Sequence, residues 1–168
     1  MKMKKGATLI ELIVALVIVG IGLVAVTGFL YASWRDWYIS KELKSLQEDM
    51  DLACLTIKAV CEEANYYEIQ DIIGGSSPEA GRKIYVRYTD EDDNNVWEKS
   101  FYKQGSNLVM EDIKNGGQYI VIRTLDNLYF SDASNEDTEI SNTIKTYIKV
   151  AKSGKAFENQ FYVKVRNK

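Results

Sequence analysis

The chain has 168 residues, enough for one ordinary domain and an additional segment. Its formal net charge of −3 argues against a dedicated nucleic-acid binder, because such proteins normally carry a basic stripe. Histidine is absent, which excludes His-based catalytic triads and His-ligated metal sites. Nearly all uninterrupted apolar sequence lies before Tyr31, whereas the chain from Lys41 onward has the composition of a soluble domain.

The amino terminus combines lysines with a long apolar run. Lys2, Lys4 and Lys5 come first, and between positions 7 and 33 only Glu11 is charged. At 1.5 Å per helical residue, this run is long enough to cross a bilayer core of about 30 Å. Lysines on the short leading side predict a cytoplasmic amino terminus and an extracytoplasmic polar domain. Aromatic and cationic side chains after the run match the belt at a membrane–water interface. The predicted interface residues are Lys4, Lys5, Trp34, Arg35 and Trp37.

Two simpler interpretations of the apolar run are a removable signal peptide and an ordinary membrane anchor. A signal peptide has an apolar core of about 7–15 residues and a small-residue cleavage site. The present run is longer, and no such site precedes the polar part. An ordinary anchor gives no reason for Glu11, since a charge at mid-bilayer costs about 2.5–3.5 kcal/mol on insertion scales. A carboxylate in this run therefore indicates a function and a partner.

The residues that surround Glu11 resemble a known signature. Gly6-Ala7-Thr8-Leu9-Ile10-Glu11-Leu12, with lysines before it and an apolar run after it, closely resembles the type IV prepilin signature. The resemblance covers the leader and the apolar run. It implies that a membrane peptidase cleaves between Gly6 and Ala7 and then methylates the new amino terminus at Ala7, a position where the family more often has Phe or Met. Glu11 corresponds to the carboxylate that the family keeps at the fifth mature position.

The resemblance also implies the partners of this chain. We expect Glu11 to pair with the amine of Ala7 on a neighbouring subunit, because each charge alone is costly in low dielectric and a pair relieves both costs. The implied partners are other pilin or pseudopilin subunits, the prepilin peptidase/methyltransferase, a membrane-embedded assembly platform and the lipid bilayer. Nothing in the sequence is direct evidence for a nucleic-acid partner. The glycines of the run permit close helix packing or a stretch that unwinds during assembly: Gly20, Gly22 and Gly28.

After Trp37 the apolar residues recur at spacings of three and four, which predicts an amphipathic helix. Neither proline nor glycine lies between Leu30 and Ala64, so we predict one helix from about Ala7 to about Ala64. Its apolar stripe is expected to pack under a sheet, with pairing to another subunit as the alternative. The stripe contains Leu43, Leu46, Met50, Ala53, Ile57, Val60 and Ala64.

Both cysteines fall in this predicted helix. Cys54 and Cys61 are two helical turns apart, so their Cα atoms would be separated by about 10.5 Å. A disulfide requires Cα atoms within about 7 Å, which excludes a bond between these two while the helix is intact. We predict two free thiols in the core, with an intersubunit disulfide as the alternative.

From about Lys83 onward the sequence predicts β-strands, some with clean alternation of apolar and polar residues. Asn115-Gly116-Gly117 and Ser153-Gly154 supply turn residues, and Gly74 to Pro78 is predicted to link helix and sheet. The predicted fold class is α+β, a long amino-terminal helix packed on an antiparallel sheet. The predicted strands are Lys83–Tyr88, Val96–Lys103, Leu108–Ile113, Gln118–Arg123, Leu125–Ser131, Thr143–Val150 and Gln160–Val165. The predicted segments are a leader (1–6), a transmembrane and polymerisation helix (7–34), its amphipathic continuation (35–66) and a head domain (67–168).

A weak calcium candidate is the set of oxygen ligands Asp90, Asp92 and Asn94. The glycine position of a calcium-binding EF-hand loop holds Asn95, and the position of its bidentate Glu holds Phe101, so an acidic hairpin turn is the preferred interpretation. No nucleophile-elbow, phosphate-loop or zinc-protease motif is present. We therefore expect no enzyme activity and no cofactor.

These observations predict a structural subunit of a type IV pilus-like filament, a minor pilin or pseudopilin. It would sit in the cytoplasmic membrane and later in a cell-surface or periplasmic filament. The alternative is a membrane-anchored extracellular binding or adhesion module that never polymerises. The sequence does not distinguish pilus, secretion pseudopilus and competence filament.

Overall fold

The computed structural model describes residues 8–71, 82–92, 94–132 and 142–166. In this part of the chain one helix precedes a series of antiparallel strands. The chain divides into two compact units between Glu42 and Leu43. The elements are α1 (Leu9–Glu63), β1 (Tyr66–Asp71), β2 (Arg82–Thr89), β3 (Asn95–Gln104), β4 (Asn107–Asp112), β5 (Gly117–Ile122), β6 (Leu125–Asp132), β7 (Thr143–Lys152) and β8 (Lys155–Lys164).

Helix α1 confirms the predicted long helix, because it runs without interruption from Leu9 to Glu63. In the unit that ends at Glu42, the described side chains are exposed almost throughout. In the unit that begins at Leu43, the helix has one buried face, as its spacing of three and four predicts. That face consists of Leu46, Met50, Ala53, Ile57, Val60 and Cys61.

The strands of the head unit form two sheets where we expected one. The first sheet has the order β1-β2-β3-β4-β5 among the described strands, and the second has the order β6-β7-β8. All the pairings are antiparallel. Thr124 lies between the two sheets, where its hydroxyl donates to the Asp49 carboxylate of α1 over 2.7 Å. The predicted α+β fold class is confirmed, whereas the division of the strands into two sheets was not predicted.

Among the described residues, one hydrophobic core contains side chains of α1 and of both sheets. Helix residues such as Leu46 and Ile57 are fully buried, and each sheet turns one face toward them. Burial of a large apolar side chain contributes about 1.5–3 kcal/mol, so this core accounts for much of the stability of the head unit. The buried strand residues include Ile84, Val86, Phe101, Leu108 and Ile122 from the first sheet, and Leu128, Phe130, Ile144, Ile148, Val150 and Val163 from the second.

The prediction that the chain passes from helix to sheet through Gly74–Pro78 is wrong. Strand β1 begins at Tyr66, directly after the helix, and pairs with β2 in register. The sequence does carry a signal for this strand, because Tyr67 and Ile69 contact the core and alternate with exposed Glu68 and Gln70. Residues 74–78 lie outside the described part of the chain. The short strand was missed because, of its described side chains, only Tyr67 and Ile69 contact the core.

Two predicted turns are confirmed by the backbone. Ser153 and Gly154 have φ of 52° and 77° and join β7 to β8, as the two central residues of a primed hairpin turn require. Gly116 has φ of 71° in the turn that joins β4 to β5.

Strand β8 begins five residues earlier than predicted, since it pairs with β7 as far as Lys155.

Candidate functional site

The described chain begins with a capping box at the start of α1. The Thr8 backbone N–H donates to Glu11 Oε2 over 2.8 Å, and the Glu11 backbone N–H donates to Thr8 Oγ1 over 3.4 Å. This reciprocal pair satisfies two backbone donors that the first helical turn leaves without partners. The carboxylate is therefore held at the amino-terminal end of the helix, where the helix dipole favours negative charge.

Thr8 is a functional candidate that the sequence reasoning missed. The signal was present, because Thr8 and Glu11 have the Ser/Thr-x-x-Glu spacing of a capping box before an apolar run. Gly6, Ala7, Lys4 and Lys5, the other predicted residues of this end, lie outside the described residues. Glu11 is therefore the one predicted processing or assembly residue that falls within the described part of the chain.

Beyond Glu11, the surface of α1 is apolar for several turns. Large side chains such as Val24 and Phe29 are more than 70% exposed. Among the described helices, α1 is long and apolar enough to cross a membrane. Exposed apolar surface of this extent is costly in water, so it requires either lipid or another protein to cover it.

The predicted membrane-interface residues lie on the same helix, farther along. Trp34 and Trp37 are exposed, and Lys41 Nζ lies 5.3 Å from the ring centre of Trp37. Arg35 Nε lies 3.9 Å from Asp36 Oδ1, and both side chains are largely exposed. Aromatic and charged groups so arranged are compatible with an interfacial belt, and the interface assignment stays a prediction.

The weak calcium candidate forms a hairpin loop between β2 and β3. Asp90 Oδ1 accepts hydrogen bonds from the backbone N–H groups of Asp92 at 3.0 Å and Asn94 at 2.8 Å. Asn94 Nδ2 donates to Asp90 Oδ2 over 3.2 Å. These bonds make Asp90 the residue that closes the turn. Within the described ranges, no three His, Cys, Asp or Glu side chains form a group that could hold a metal ion.

The two cysteines occupy the positions expected from their spacing. Both are free; Cys61 is buried, and Cys54 is half-buried beside Asn159, whose Nδ2 lies 3.7 Å from the sulfur. Burial raises the pKa of Cys54 and raises that of Cys61 to about 12. Because the thiolate is the reactive form, Cys61 is chemically inert at neutral pH. The core assignment is confirmed for Cys61, whereas Cys54 is only partly buried and packs against the core.

Comparison with known proteins bears on the amino terminus. The family model of the prokaryotic N-terminal methylation motif matches residues 1–27. The chain carries the type IV prepilin signature. No curated protein and no solved structure shows significant similarity to this chain.

The signature supports a type IV pilin-like precursor. Proteins of this class are structural, and the motif implies assembly with other pilin subunits and processing by a prepilin peptidase. The apolar amino-terminal helix fits a membrane-anchored pilin. The residues matched by the family model include the whole of the capping box.

Proposed function

We propose that this prepilin is a minor pilin or pseudopilin, an accessory subunit of a type IV pilus-like filament. The observation that carries the proposal is the methylation motif over residues 1–27, with one acidic residue held at the start of an exposed apolar helix. A filament subunit needs such a helix because it must pass from lipid into a bundle of similar helices. The acidic head and the small residue at position 7 favour an accessory subunit over the main one.

The proposed processing step is hydrolysis of the peptide bond between Gly6 and Ala7. Water adds to the Gly6 carbonyl carbon, the C–N bond breaks, and residues 1–6 leave with a new carboxylate while Ala7 gains a free amine. The methyltransferase then moves one methyl group from a methyl donor to the Ala7 amine, which loses one proton, and the product is N-methyl-Ala7. Loss of Lys2, Lys4 and Lys5 lowers the formal net charge from −3 to −6.

In the filament, the amine of Ala7 pairs with Glu11 of a neighbouring subunit. The Thr8–Glu11 hydrogen bonds support this assignment, because they hold the carboxylate at the helix end where cleavage creates the amine. An isolated charge in low dielectric is costly, and pairing offsets much of that cost for both groups. We infer that the pair sets the axial stagger between helices more than it adds net stability.

The subunit is inserted with its amino terminus in the cytoplasm and its head outside. An assembly platform in the membrane then transfers it to a filament at the cell surface or in the periplasm. Leu52 and Leu55 support contact with neighbouring helices, because they are 51% and 66% exposed on a segment whose other face is buried in the head. Exposed leucines next to a packed core are candidates for a second helix contact.

Intact-mass analysis of the protein from its native membrane tests the processing. The expected product lacks residues 1–6 and carries one additional methyl group. A protein that retains the lysine-containing leader would contradict the proposal and would favour the alternative, a membrane-anchored extracellular binding module that does not polymerise.

Substitution of the acidic residue tests the assembly role. Glu11→Gln keeps the side-chain size and removes the charge, so we expect normal insertion and cleavage but poor incorporation into filaments. Glu48→Gln is the matched control, since Glu48 is an exposed acidic residue farther along the same helix. Equal incorporation of the two variants would refute the pairing of Glu11 with Ala7.

A further inference from the structure

The turn between β4 and β5 contains the only Asn-Gly sequence of the chain. Asn115 is followed by Gly116, and both residues are exposed. An asparagine side chain can lose ammonia when the backbone nitrogen of the next residue reaches its Cγ atom. Glycine at that next position favours the attack, because it has no side chain to keep the two atoms apart. The turn therefore contains both reactants of a self-modification.

The structure binds both reactants to one residue, Asp112. The Asn115 backbone N–H donates to Asp112 Oδ1 over 3.0 Å, and Asn115 Nδ2 donates to Asp112 Oδ2 over 2.8 Å. The Gly116 N–H donates to the Asp112 carbonyl over 2.8 Å. Hydrogen bonds, first from the Asn115 side chain and then from its backbone, hold the pKa of Asp112 below its ordinary value. The Asp112 carboxylate is therefore ionised at neutral pH.

These hydrogen bonds oppose the reaction between the two residues. The Gly116 nitrogen must lose its proton to attack, and the Asp112 carbonyl accepts that proton in a hydrogen bond. The Asn115 amide must turn its Cγ atom toward Gly116, which breaks its bond with Asp112 Oδ2. A reaction of this kind is fast only when the reacting atoms reach a near-attack geometry. The folded turn therefore restrains a reaction that the unfolded sequence permits.

We propose that Asn115 is a self-modification site, at which the β4–β5 turn and the Asp112 carboxylate set the rate of deamidation. The Gly116 nitrogen forms a bond with Asn115 Cγ, the Cγ–Nδ2 bond breaks, and ammonia leaves with the proton that Gly116 gives up. Water then opens the cyclic imide at either carbonyl, which gives aspartate or isoaspartate at position 115. No electrons are transferred, and water is the sole co-reactant.

Both products change the turn. Each places a second carboxylate beside that of Asp112, which adds one negative charge to the exposed surface. The isoaspartate form also carries the main chain through the side-chain carbon and so lengthens the backbone before Gly116. The hydrogen bond from Gly116 to the Asp112 carbonyl does not fit this longer chain. The proposal rests on head residues alone, so it does not depend on cleavage or on filament assembly.

Incubation of the full chain in detergent at mildly alkaline pH, with and without guanidinium chloride, tests the proposal. Peptide mass spectrometry measures deamidation at each asparagine, and Asn107 is the internal control because Leu108 follows it. Two hydrogen bonds of ordinary net strength oppose the reaction, so we expect Asn115 to react about tenfold more slowly in the folded chain than in the denatured chain. In the denatured chain Asn115 should react faster than Asn107. Equal rates in either comparison would overturn the proposal.

A substitution separates the role of the carboxylate from that of the backbone. Asp112→Ala should accelerate deamidation of folded Asn115 several-fold, because the side-chain amide is then free to turn. Asp126→Ala is the matched control, since it removes a carboxylate that pairs with Lys149, and it should leave the rate unchanged. The urea midpoint of each variant reports whether the head remains folded. Equal rates in the two folded variants would refute the role of Asp112, and the comparison of the unsubstituted chain in its two states decides the proposal even where Asp112→Ala unfolds.

Discussion

Asn65 provides the sharpest test of how the helix is attached to the sheet. Its Nδ2 donates to the Thr89 carbonyl over 2.8 Å and to Thr89 Oγ1 over 3.0 Å, while the Thr89 N–H donates to Asn65 Oδ1 over 3.0 Å. The Asn65 backbone N–H donates to the Arg87 carbonyl over 3.0 Å. One side chain thus fastens the carboxyl-terminal end of α1 to the last residue of β2.

The expected cost of Asn65→Ala follows from these bonds. A typical intramolecular hydrogen bond contributes about 0.5–1.5 kcal/mol net, and three side-chain bonds are lost. All three bonds are only partly buried, so water can replace some of them in the variant. The expected loss of stability is therefore smaller than the sum of three full hydrogen-bond contributions. We expect a loss of about 2 kcal/mol in the free energy of unfolding of the head. That is a large share of the roughly 5–15 kcal/mol of a typical domain.

Urea titration of the full chain in detergent, followed by near-ultraviolet circular dichroism, measures this loss. The midpoint should fall with the slope unchanged, because the folded state keeps its compactness. Asn115→Ala is the matched control: Asn115 Nδ2 donates to Asp112 over 2.8 Å, but the contact is exposed and local. Its expected cost is below about 0.5 kcal/mol. Equal losses in the two variants would refute the structural role of Asn65.

Two further predictions concern the core and an ion pair of the head. Ile57→Ala should cost about 3 kcal/mol because Ile57 is fully buried, whereas Leu55→Ala, 66% exposed, should cost below about 0.5 kcal/mol. Similar urea midpoints would contradict the packing of α1. The Glu111 carboxylate accepts hydrogen bonds that hold its pKa below the ordinary value of 4.5. The largest effect comes from Lys83, whose Nζ lies 3.1 Å from Oε2. The ionised carboxylate therefore contributes stability above pH 4.5 that is lost as pH falls through the lower folded pKa. Glu111→Gln should flatten this acid-induced fall in the urea midpoint, and an unchanged fall would refute the assignment.

Local patterns were sufficient for most of the elements, and they singled out Glu11 as the proposed assembly residue. The apolar run predicted the first part of α1, and the spacing of three and four predicted which side chains of its second part are buried, Leu46 and Ile57 among them. Glu11 stood out because a single charge in an apolar run is costly unless it has a function. The cysteine spacing predicted that Cys54 and Cys61 cannot form a disulfide with each other in an intact helix, and both are free.

The sequence by itself therefore determined the long helix, its buried face, most of the strands and the type IV prepilin signature, because each depends on neighbours along the chain. The tertiary structure decided which strands pair. It divided the described strands into two sheets at Thr124 and added β1 directly after the helix. Pairing of this kind depends on contacts between residues far apart in the chain, such as those of Asn65 with Thr89. Periodicity carries no information about such distant partners.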